Sequence, residues 1–394
     1  MLRHHVPQRL NQIDWVNLLF IGGYHIALAI ALPLYLSAYV PSAALWGWTA
    51  VLLVGSGISI TAGYHRLYAH RTYRTKRPIE WVLLFFGSLS TQGSVLRWAH
   101  DHRIHHRYVD TEKDPYDTYK GFWHSHLLWM FKKRPPIDER YIPDLKKDRL
   151  LVHQDRYYVW WMGITNLGST LLIGWITGEM IGAFVIAFLL RLFITHHTTW
   201  FINSLAHMWG SKPYSTEHSA VNNFILAFLT YGEGYHNFHH TFAGDFRNGI
   251  RWYQFDPAKY FIWMLHKLGL ASDLKRTDPL MIQKRLIQAD RHLLIDHLKQ
   301  LQHLDTEPFV EAVERMADKL STSIATARRV MNEYRQVARE GRKEEMRKLK
   351  ETFKQVRREL RHDFKTWKRL CRLVLKMEPI PAAVVTVAQK QHLK

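Results

Sequence analysis

The chain has 394 residues, a net charge of +20 and a composition that is 47% hydrophobic. Its one cysteine, Cys371, excludes an internal disulfide and a cysteine-ligated zinc or iron–sulfur site. Basic chains often bind nucleic acid, but here Lys and Arg lie beside long apolar stretches, as in membrane proteins, so we expect no nucleic-acid partner.

The first apolar stretch predicts two membrane spans. Residues 15–65 contain no Asp, Glu, Lys or Arg, and one span takes about 20 apolar residues. We therefore predict spans at 15–40 and 43–64 with a turn near Pro41. The stretch is too long for a secretory signal peptide and shows no small-residue cleavage site, so no cleavable signal is expected.

A second apolar hairpin follows. Residues 157–178 are uncharged and residues 180–203 carry only Arg191, which predicts two further spans. We expect Arg191 to snorkel to the interface or to pair within the bundle. Residues 79–96 are also apolar, but Glu80 and the short length favour a membrane-surface or partly immersed helix over a fifth span.

The positions of the basic residues predict the orientation. The turns at 41–44 and 178–179 carry no Lys or Arg, whereas the segment between the two hairpins is rich in both. Basic residues gather on the cytoplasmic side, so the termini and a cap formed by 66–156 and 207–272 are predicted to be cytoplasmic. In a bacterium the membrane would be the inner one.

Histidines cluster at the predicted cytoplasmic ends of the spans. The clusters are His65 and His70, then His102, His105 and His106, then His236, His239 and His240, with His207 ahead of the last. Each triplet has the spacing i, i+3, i+4, which shares one helix face. His65 and His70 are about 140° out of phase on an α-helix, so they fit a helix end that unwinds. Imidazole binds iron, copper, zinc and nickel, so the nine histidines predict a metal centre of unspecified metal.

These histidines lie in four sequence elements: HRLYAH at 65–70, DHRIHH at 101–106, NSLAH at 203–207 and EGYHNFHH at 233–240. As a set, the elements resemble the histidine boxes of membrane fatty-acid desaturases, and most of all the acyl-CoA Δ9 (stearoyl-CoA type) branch. The similarity covers about residues 15–257. It implies an all-α, four-transmembrane-helix integral membrane protein with a cytoplasmic helical cap that holds a histidine-rich di-iron site.

The resemblance also implies the cofactors and the reaction. One iron ion would bind His65, His70, His102, His106 and His240, and the other His105, His207, His236 and His239, with Asn203 reaching it through water. With O2 and two external electrons, such a centre would insert a cis double bond, at Δ9, into a saturated acyl-CoA of about 16 to 18 carbons. Carboxylates usually orient imidazole ligands, and the candidates are Asp101, Asp110, Glu112, Asp114 and Glu233.

Substrate contacts follow from the same resemblance. It implies that Gln92, Trp98, Thr199 and Trp200 shape the bend of an apolar tunnel, and that Asn17, Asp101, Lys132 and Lys133 contact coenzyme A, whose phosphates call for cations. The small residues 55–57 would deepen the tunnel. Gly93 stands where Asn is usual in the branch, and His100 where Arg is usual. A phospholipid-linked acyl chain is therefore an alternative substrate, with Lys132 and Lys133 as headgroup contacts or ordinary positive-inside residues.

Residues 273–394 are predicted to form a basic, amphipathic, helical extension of the membrane domain 1–272. Apolar residues recur in steps of three or four at Leu349, Phe353, Val356, Leu360, Phe364, Trp367 and Leu370. Residues 341–374 carry 13 Lys or Arg against 5 Asp or Glu. These helices either pack on one another or under the catalytic cap, or they bind anionic lipid or a reductase. The extension lacks haem and ferredoxin signatures, so a separate donor of ferredoxin, cytochrome b5 or flavin reductase type is expected.

Two other functions fit parts of the pattern. A membrane di-iron hydroxylase or alkane monooxygenase is also rich in histidine, but the spacing of His65 and His70 and the pair Asn203 and His207 favour a desaturase. A membrane metal transporter or sensor would line a path across the bilayer with its ligands, whereas these clusters share one depth.

Overall fold

A computed structural model describes residues 12–301 and 304–377 of the chain. The chain divides into two compact units, Met1–Lys212 with Glu217–Arg276, and Pro213–Thr216 with Thr277–Lys394. Within the predicted membrane domain, residues 1–11 lie outside the described residues. Within the predicted extension, residues 302–303 and 378–394 do.

The regular structure of the first unit is almost entirely helical. Its α-helices are α1 (Trp15–Ala38), α2 (Ala43–Ile58), α3 (Arg77–Leu89), α4 (Val95–Tyr108), α5 (Phe122–His126), α6 (Arg149–Arg156), α7 (Tyr158–Thr177), α8 (Met180–Gly182), α9 (Arg191–Asn203), α10 (Phe224–Leu229), α11 (His236–Thr241) and α12 (Pro257–Lys267). π-Helical segments Ser59–Ala69 and Ala183–Leu190 continue α2 and α8, and short 3-10 helices cover Thr118–Lys120, Leu128–Phe131, Glu139–Tyr141, Leu145–Lys147 and Leu205–His207. Two short antiparallel strands, β1 (Arg74–Thr75) and β2 (Ala271–Ser272), connect the end of the second apolar helix to the residues after α12.

Three helices are long and apolar enough to cross a membrane, namely Trp15–Ala38, Ala43–Ala69 and Met180–His207. The remaining predicted span corresponds to α7, which has 20 residues but is less apolar because it contains Asn166 and several small polar residues. Its C-terminal turn contacts the first hairpin. A carboxylate oxygen of Glu179 accepts hydrogen bonds from the backbone N–H of Ser42 and the hydroxyl of Tyr35, each at 3.3 Å.

Arg191 lies inside the helix bundle. Its side chain is 1% exposed and donates to the side-chain oxygen of Asn166 at 2.6 Å and to the carbonyl of Leu89 at 3.0 Å. These partners stand on α7 and α3, so Arg191 joins α9 to both helices. Of the two predicted outcomes, pairing within the bundle is therefore confirmed.

The second apolar helix ends in the π-helical segment Ser59–Ala69. In a π-helix the hydrogen bonds join residues five apart, and the backbone N–H of His70 donates to the carbonyl of His65 at 3.0 Å. This winding brings the two rings, which an α-helix would direct apart, to a centroid distance of 4.8 Å. The expected unwinding takes the form of a wider helix.

The predicted surface helix at 79–96 is wrong in extent. The first helix of this region ends at Leu89 and the next begins at Val95. Between them Thr91 and Gly93 have φ values of 53° and 95°, and Ser94 caps the second helix. The polar run Ser-Thr-Gln-Gly-Ser at 90–94 marks this break in the sequence.

The second unit contains three helices, α13 (Pro279–Gln300), α14 (Glu307–Arg339) and α15 (Lys343–Val374). Its core includes Ile287, Leu294, Leu298, Val313, Leu320, Ile324, Leu360 and Trp367. The indole N–H of Trp367 donates to Asp290 at 3.3 Å, and Lys319 pairs with Asp363 at 2.7 Å. The apolar stripe of α15 is therefore used within the unit, while most of its Lys and Arg side chains are exposed.

Candidate metal centre

The structure brings together all nine histidines named above, in two adjoining groups. The first contains His65, His70, His102, His106 and His239, and the second His105, His207, His236 and His240; within each group one nitrogen per residue lies within 4.8 Å of the others. Nε2–Nε2 distances are 2.8 Å between His70 and His102 and 3.1 Å between His236 and His240. Two nitrogens bound at right angles to one metal, each about 2.1 Å from it, would be about 3 Å apart.

The division differs from the expected one at His239 and His240. His239 belongs to the first group and His240 to the second, which reverses the predicted assignment. Consecutive helical residues point about 100° apart, so these two rings must face different groups, but their spacing does not tell which. The rings of His106 and His240 stack at 4.2 Å, so the groups touch.

Three of the rings are held at their outer nitrogen. Nδ1 of His65 lies 3.0 Å from Glu233, and Nδ1 of His105 lies 2.9 Å from Asp114. Nδ1 of His207 lies 2.6 Å from the hydroxyl of Ser219. A partner at Nδ1 fixes the tautomer and directs the Nε2 lone pair toward a metal.

The five candidate carboxylates therefore differ in what they contact. Asp114 contacts His105 of the second group, and Glu233 contacts His65 of the first. Asp110 accepts a hydrogen bond from the backbone N–H of Ser219 at 2.6 Å. Asp101 contacts His100 instead, and Glu112 is exposed.

A buried arginine beside the first group was not singled out from the sequence. Arg66 is 1% exposed and lies 3.1 Å from Glu233 and 3.0 Å from Asp256. Burial alone would favour a neutral carboxyl, but His65 and Arg66 outweigh it and lower the pKa of Glu233 to about 2. The ionised Glu233 thus connects His65 to a buried cation. Arg66 directly follows His65 in the first histidine element, yet nothing in the surrounding sequence indicates that the arginine side chain is buried.

The donor set fits a metal ion. Burial, reinforced by the neighbouring imidazoles, lowers the pKa of His102, His106, His239 and His240 well below the usual value, which favours the neutral, metal-binding form. Nε2 of His207 is buried with no hydrogen-bond partner among the described residues. Such a nitrogen is costly unless something binds it, and a metal within the second group would do so.

A cavity of about 660 Å³ opens directly onto both groups. Its lining includes His65, His102, His105 and His236, together with Asn203 and the predicted substrate residues Asn17, Gln92, Trp98, Asp101, Thr199 and Trp200. The volume falls within the usual range of about 300–1,000 Å³ for small-molecule sites.

Three of the four predicted bend residues are joined by hydrogen bonds. The indole N–H of Trp98 donates to Gln92 at 3.3 Å, and the amide of Gln92 donates to Thr199 at 2.8 Å. Trp98 also stacks on His102 at 4.9 Å. Gln92, Trp98 and Thr199 are thus linked to one another and lie against the first histidine group.

The cations that line the cavity are not the predicted ones. Lys132 and Lys133 are exposed and lie outside the lining, whereas Arg97 and Arg134 belong to it. Both arginines pair with Asp101, at 3.6 Å and 3.1 Å. Arg134 directly follows the predicted basic pair in the sequence.

The small residues of the second span do not deepen the cavity, contrary to expectation. A Cβ atom on Gly55 would lie 2.6 Å from the ring of Phe86, and one on Gly57 would lie 2.1 Å from the ring of Tyr231. The hydroxyl of Tyr231 also donates to the carbonyl of Leu53 at 3.3 Å. These glycines therefore make room for two aromatic rings.

Comparison with known proteins agrees with the site. The family model described as Fatty acid desaturase matches residues 41–265. Acyl-CoA desaturase 1 of Saccharomyces cerevisiae is 39% identical over 287 residues, 71% of this chain and 55% of that protein. A probable acyl-CoA desaturase of Schizosaccharomyces pombe is 42% identical over 242 residues, 61% of this chain and 50% of that protein. An sn-1 stearoyl-lipid 9-desaturase of Anabaena variabilis is 34% identical over 274 residues, 68% of this chain and 96% of that protein.

The chain thus spans about half the length of the two yeast proteins and nearly all of the cyanobacterial one. The family match covers more than half of the chain and includes all four histidine elements. The resemblance drawn from those elements is confirmed. The chain belongs to the fatty acid desaturase family.

Proposed function

We propose that the protein is an O2-dependent acyl-CoA desaturase of unsaturated fatty acid biosynthesis, which inserts a cis double bond, at Δ9, into saturated chains of about 16 to 18 carbons. The observation that carries the proposal is that four histidines belong both to the paired groups and to the cavity lining. They are His65, His102, His105 and His236. The names of the yeast relatives support acyl-CoA as the substrate.

The nine histidines would hold two iron ions, five with one ion and four with the other, with Asn203 reaching the second through water. When bound, the irons supply the O2 chemistry that oxidation of an unactivated methylene requires, using two external electrons. The protein's own part is to hold the rings, through Asp114, Glu233 and Ser219, and to keep bulk water away from the reacting carbons.

The substrate chain would lie in the cavity with its bend at Gln92, Trp98, Thr199 and Trp200. These residues would hold two neighbouring methylenes against the histidine groups. Removal of one hydrogen from each carbon leaves the alkene, and O2 with two electrons and two protons leaves as two water molecules. Positioning in this way accounts for a single bond position along a uniform chain.

The acyl carrier would contact Arg97 and Arg134 in the cavity lining. Asn17 and Asp101 would provide further contacts there, and Lys132 and Lys133 would do so on the adjoining surface. Guanidinium groups bind phosphates well, and coenzyme A offers several. A phospholipid-linked chain is the alternative, and the stearoyl-lipid 9-desaturase named above supports it. A membrane di-iron hydroxylase is the less favoured alternative on the same scaffold.

The protein would cross the membrane four times, with its termini and active site in the cytoplasm. Helix α7 would be the fourth span, because Val159, Ile164 and Trp175 on its surface are 71%, 67% and 76% exposed, as expected for a lipid-facing helix. The hydrogen bonds of Glu179 support placing the turns of both hairpins on the same side.

We assign residues 1–272 to the membrane desaturase domain and 273–394 to the basic extension. Electrons would come from a separate donor of ferredoxin, cytochrome b5 or flavin reductase type. The exposed cations of α15 would bring the enzyme to anionic lipid or to an acidic donor.

A reconstituted assay tests the reaction and the carrier together. Purified iron-loaded protein in liposomes, with O2 and a reducing system, is given either stearoyl-CoA or a stearoyl phospholipid, and products are identified by mass spectrometry. We expect an alkene from the acyl-CoA. Alkene from the phospholipid alone would favour the lipid alternative, and hydroxylated product would contradict desaturation.

A further inference from the structure

Four histidines outside the two metal groups surround the indole of Trp200. Their ring centroids lie 6.1 Å (His25), 5.7 Å (His126), 5.1 Å (His196) and 4.9 Å (His197) from that of Trp200. The rings of His25 and His196 lie nearly parallel to the indole, at 11° and 28°, while His126 and His197 meet it at 84° and 64°. We call these four residues the Trp200 cage. Trp200 is 4% exposed, and it lines the cavity.

Three cage histidines form one chain of hydrogen bonds. Nε2 of His25 lies 3.1 Å from Nε2 of His197, and Nδ1 of His197 lies 3.1 Å from Nε2 of His126. The chain ends at the carbonyl of Ile21, 2.7 Å from His25, and at the hydroxyl of Ser204, 3.0 Å from His126.

The direction of this chain follows from its ends. A carbonyl can only accept, so Nδ1 of His25 donates to Ile21, and its Nε2 must accept from His197 if the ring is neutral. The same reasoning makes His126 donate to His197 and leaves Nδ1 of His126 to accept from Ser204. The Ser204 hydroxyl also lies 3.0 Å from the carbonyl of Trp200, so its one proton is shared between two acceptors, and every ring nitrogen has a partner. Burial lowers the pKa of His126 to about 4, which is consistent with a neutral chain.

The fourth cage residue is fixed separately. Nε2 of His196 lies 3.0 Å from the carbonyl of Ser90, so it donates there, and its Nδ1 accepts from the hydroxyl of Tyr24 at 2.9 Å. His196 thereby connects α1 and α9 to the turn at Ser90 and Thr91, which precedes Gln92. The cage and the hydrogen-bonded bend residues thus share both the α9 segment and this turn.

We propose that the cage histidines are positioning residues that fix the indole of Trp200 as a wall of the cavity and so determine which pair of carbons is desaturated. The inference rests on the proposed function for its substrate. An aromatic wall is held by its contacts, and a hydrogen-bonded imidazole cannot rotate away without leaving buried nitrogens unpaired. A mobile Trp200 would let the chain slide by a carbon or more past the histidine groups.

The test compares three variants of the full-length, iron-loaded protein with wild type. His126→Ala removes one cage wall and interrupts the chain, whereas His126→Gln keeps an amide N–H to donate to His197. Tyr24→Phe is a milder change that removes only the hydrogen bond to Nδ1 of His196. His124→Ala, on the same short helix, is the matched control, because no contact of His124 with Trp200 is present among the described residues.

Two quantities are measured. The first is the position of the double bond in the product, by mass spectrometry with double-bond localisation. The second is the ¹⁹F NMR signal of Trp200 in 5-fluorotryptophan-labelled protein, assigned by its loss in Trp200→Phe. We expect His126→Ala and Tyr24→Phe to raise the fraction of neighbouring bond positions about tenfold and to shift or broaden the Trp200 signal. His126→Gln should restore much of both, and iron content should not change.

Unchanged bond positions and an unchanged Trp200 signal in both His126→Ala and Tyr24→Phe would overturn the inference. A lower rate with the same bond positions in an otherwise folded, iron-loaded variant would also overturn it, since that is the result of a merely structural role. Failure of the wild type to make any alkene would instead contradict the proposed function.

Discussion

At the scale of residues, the hydrogen-bond partner of Nδ1 determines the tautomer and orientation in which a histidine offers Nε2 to a metal. Glu233, Asp114 and Ser219 each lie within 3.0 Å of the Nδ1 atom of a histidine in the two groups. Such partners keep Nε2 unprotonated and the ring in one orientation. Metal affinity should therefore depend on residues that never touch the metal.

Asp114→Asn tests this dependence. An amide can still contact Nδ1 of His105, but it no longer favours the N–H tautomer as a carboxylate does, so we expect iron affinity to fall about 10- to 100-fold. Iron content after dialysis against graded chelator measures the change. Asp117→Asn is the control, because Asp117 pairs with Lys120 and caps a short helix instead. Equal iron retention in the two variants would contradict the role of Asp114.

Much of the site at this scale was predictable, because histidines are rare enough that their repeated spacing is informative. All nine were named from the sequence. The assignment of His239 and His240 was not predictable, since adjacent residues differ by a rotation that depends on how α11 is set in the fold. Arg66 and Arg134 were missed because arginine is common beside apolar segments, and only packing turns a particular one inward.

At the scale of elements, the π-helical end of the second apolar helix has the clearest functional consequence. It brings His65 and His70 to one side, whereas a continuing α-helix would separate them. The sequence indicated an irregular helix end but not its form, because helical propensity does not distinguish i→i+4 from i→i+5 bonding. The break after Leu89, by contrast, was marked in the sequence, because residues 90–94 form a polar run that contains Gly93.

The aromatic rings packed on α2 predict chain-length selectivity. Tyr231 fills the space beside Gly57 and lines a small pocket that shares Ile60, Thr61, Thr199 and Ile202 with the main cavity. Tyr231→Ala should therefore lengthen the cavity and raise the proportion of longer saturated chains that are desaturated. Competition between acyl-CoAs of different length, with products read by mass spectrometry, measures this shift.

Tyr231→Phe is the matched control, because it keeps the ring and loses only the hydroxyl contact with Leu53. It should retain the preference of the wild type. If Tyr231→Ala shows the same preference, the far end of the substrate site lies elsewhere.

At the scale of the whole molecule, the proposed topology places both hairpin turns on one face of the membrane and the histidine groups toward the other. Single cysteines in a Cys371→Ser background test it. Ala43→Cys stands at the turn of the first hairpin and Glu139→Cys in the cap, and both positions are exposed. An impermeant thiol reagent should label the first in intact cells and the second only after permeabilisation. Labelling of both before permeabilisation would contradict four spans.

The extension is expected to be separable from catalysis. The first unit ends at Arg276, and Lys275 still bonds to the backbone of Thr72 and Phe246, so a stop codon after Arg276 preserves these contacts. The shortened protein should keep its iron and its activity with a chemical reductant, while turnover supported by a membrane-bound donor falls. Loss of iron on shortening would show that the extension supports the centre itself, and unchanged donor-supported turnover would remove the proposed docking role.

The long apolar helices could be predicted from the charge-free stretches, which reflect the large cost of placing charge in a bilayer. Helix α7 was recognised from its lack of charge, although its small polar residues make it the least apolar of the four predicted spans. The three-helix packing of the second unit was one of two outcomes left open, because an amphipathic stripe shows that a helix has a partner but not which one.

The most direct test of the central claim is to express the chain in a desaturase-deficient host supplied with saturated fatty acids and to read the lipids by mass spectrometry with double-bond localisation. His105→Ala, from the second histidine group, and His153→Ala, an exposed histidine outside both groups, are expressed in parallel. The wild type and His153→Ala should give a cis-Δ9 product, and His105→Ala should give none while remaining in the membrane. Hydroxylated acids, or desaturation retained in His105→Ala, would contradict a desaturase that works through these histidines.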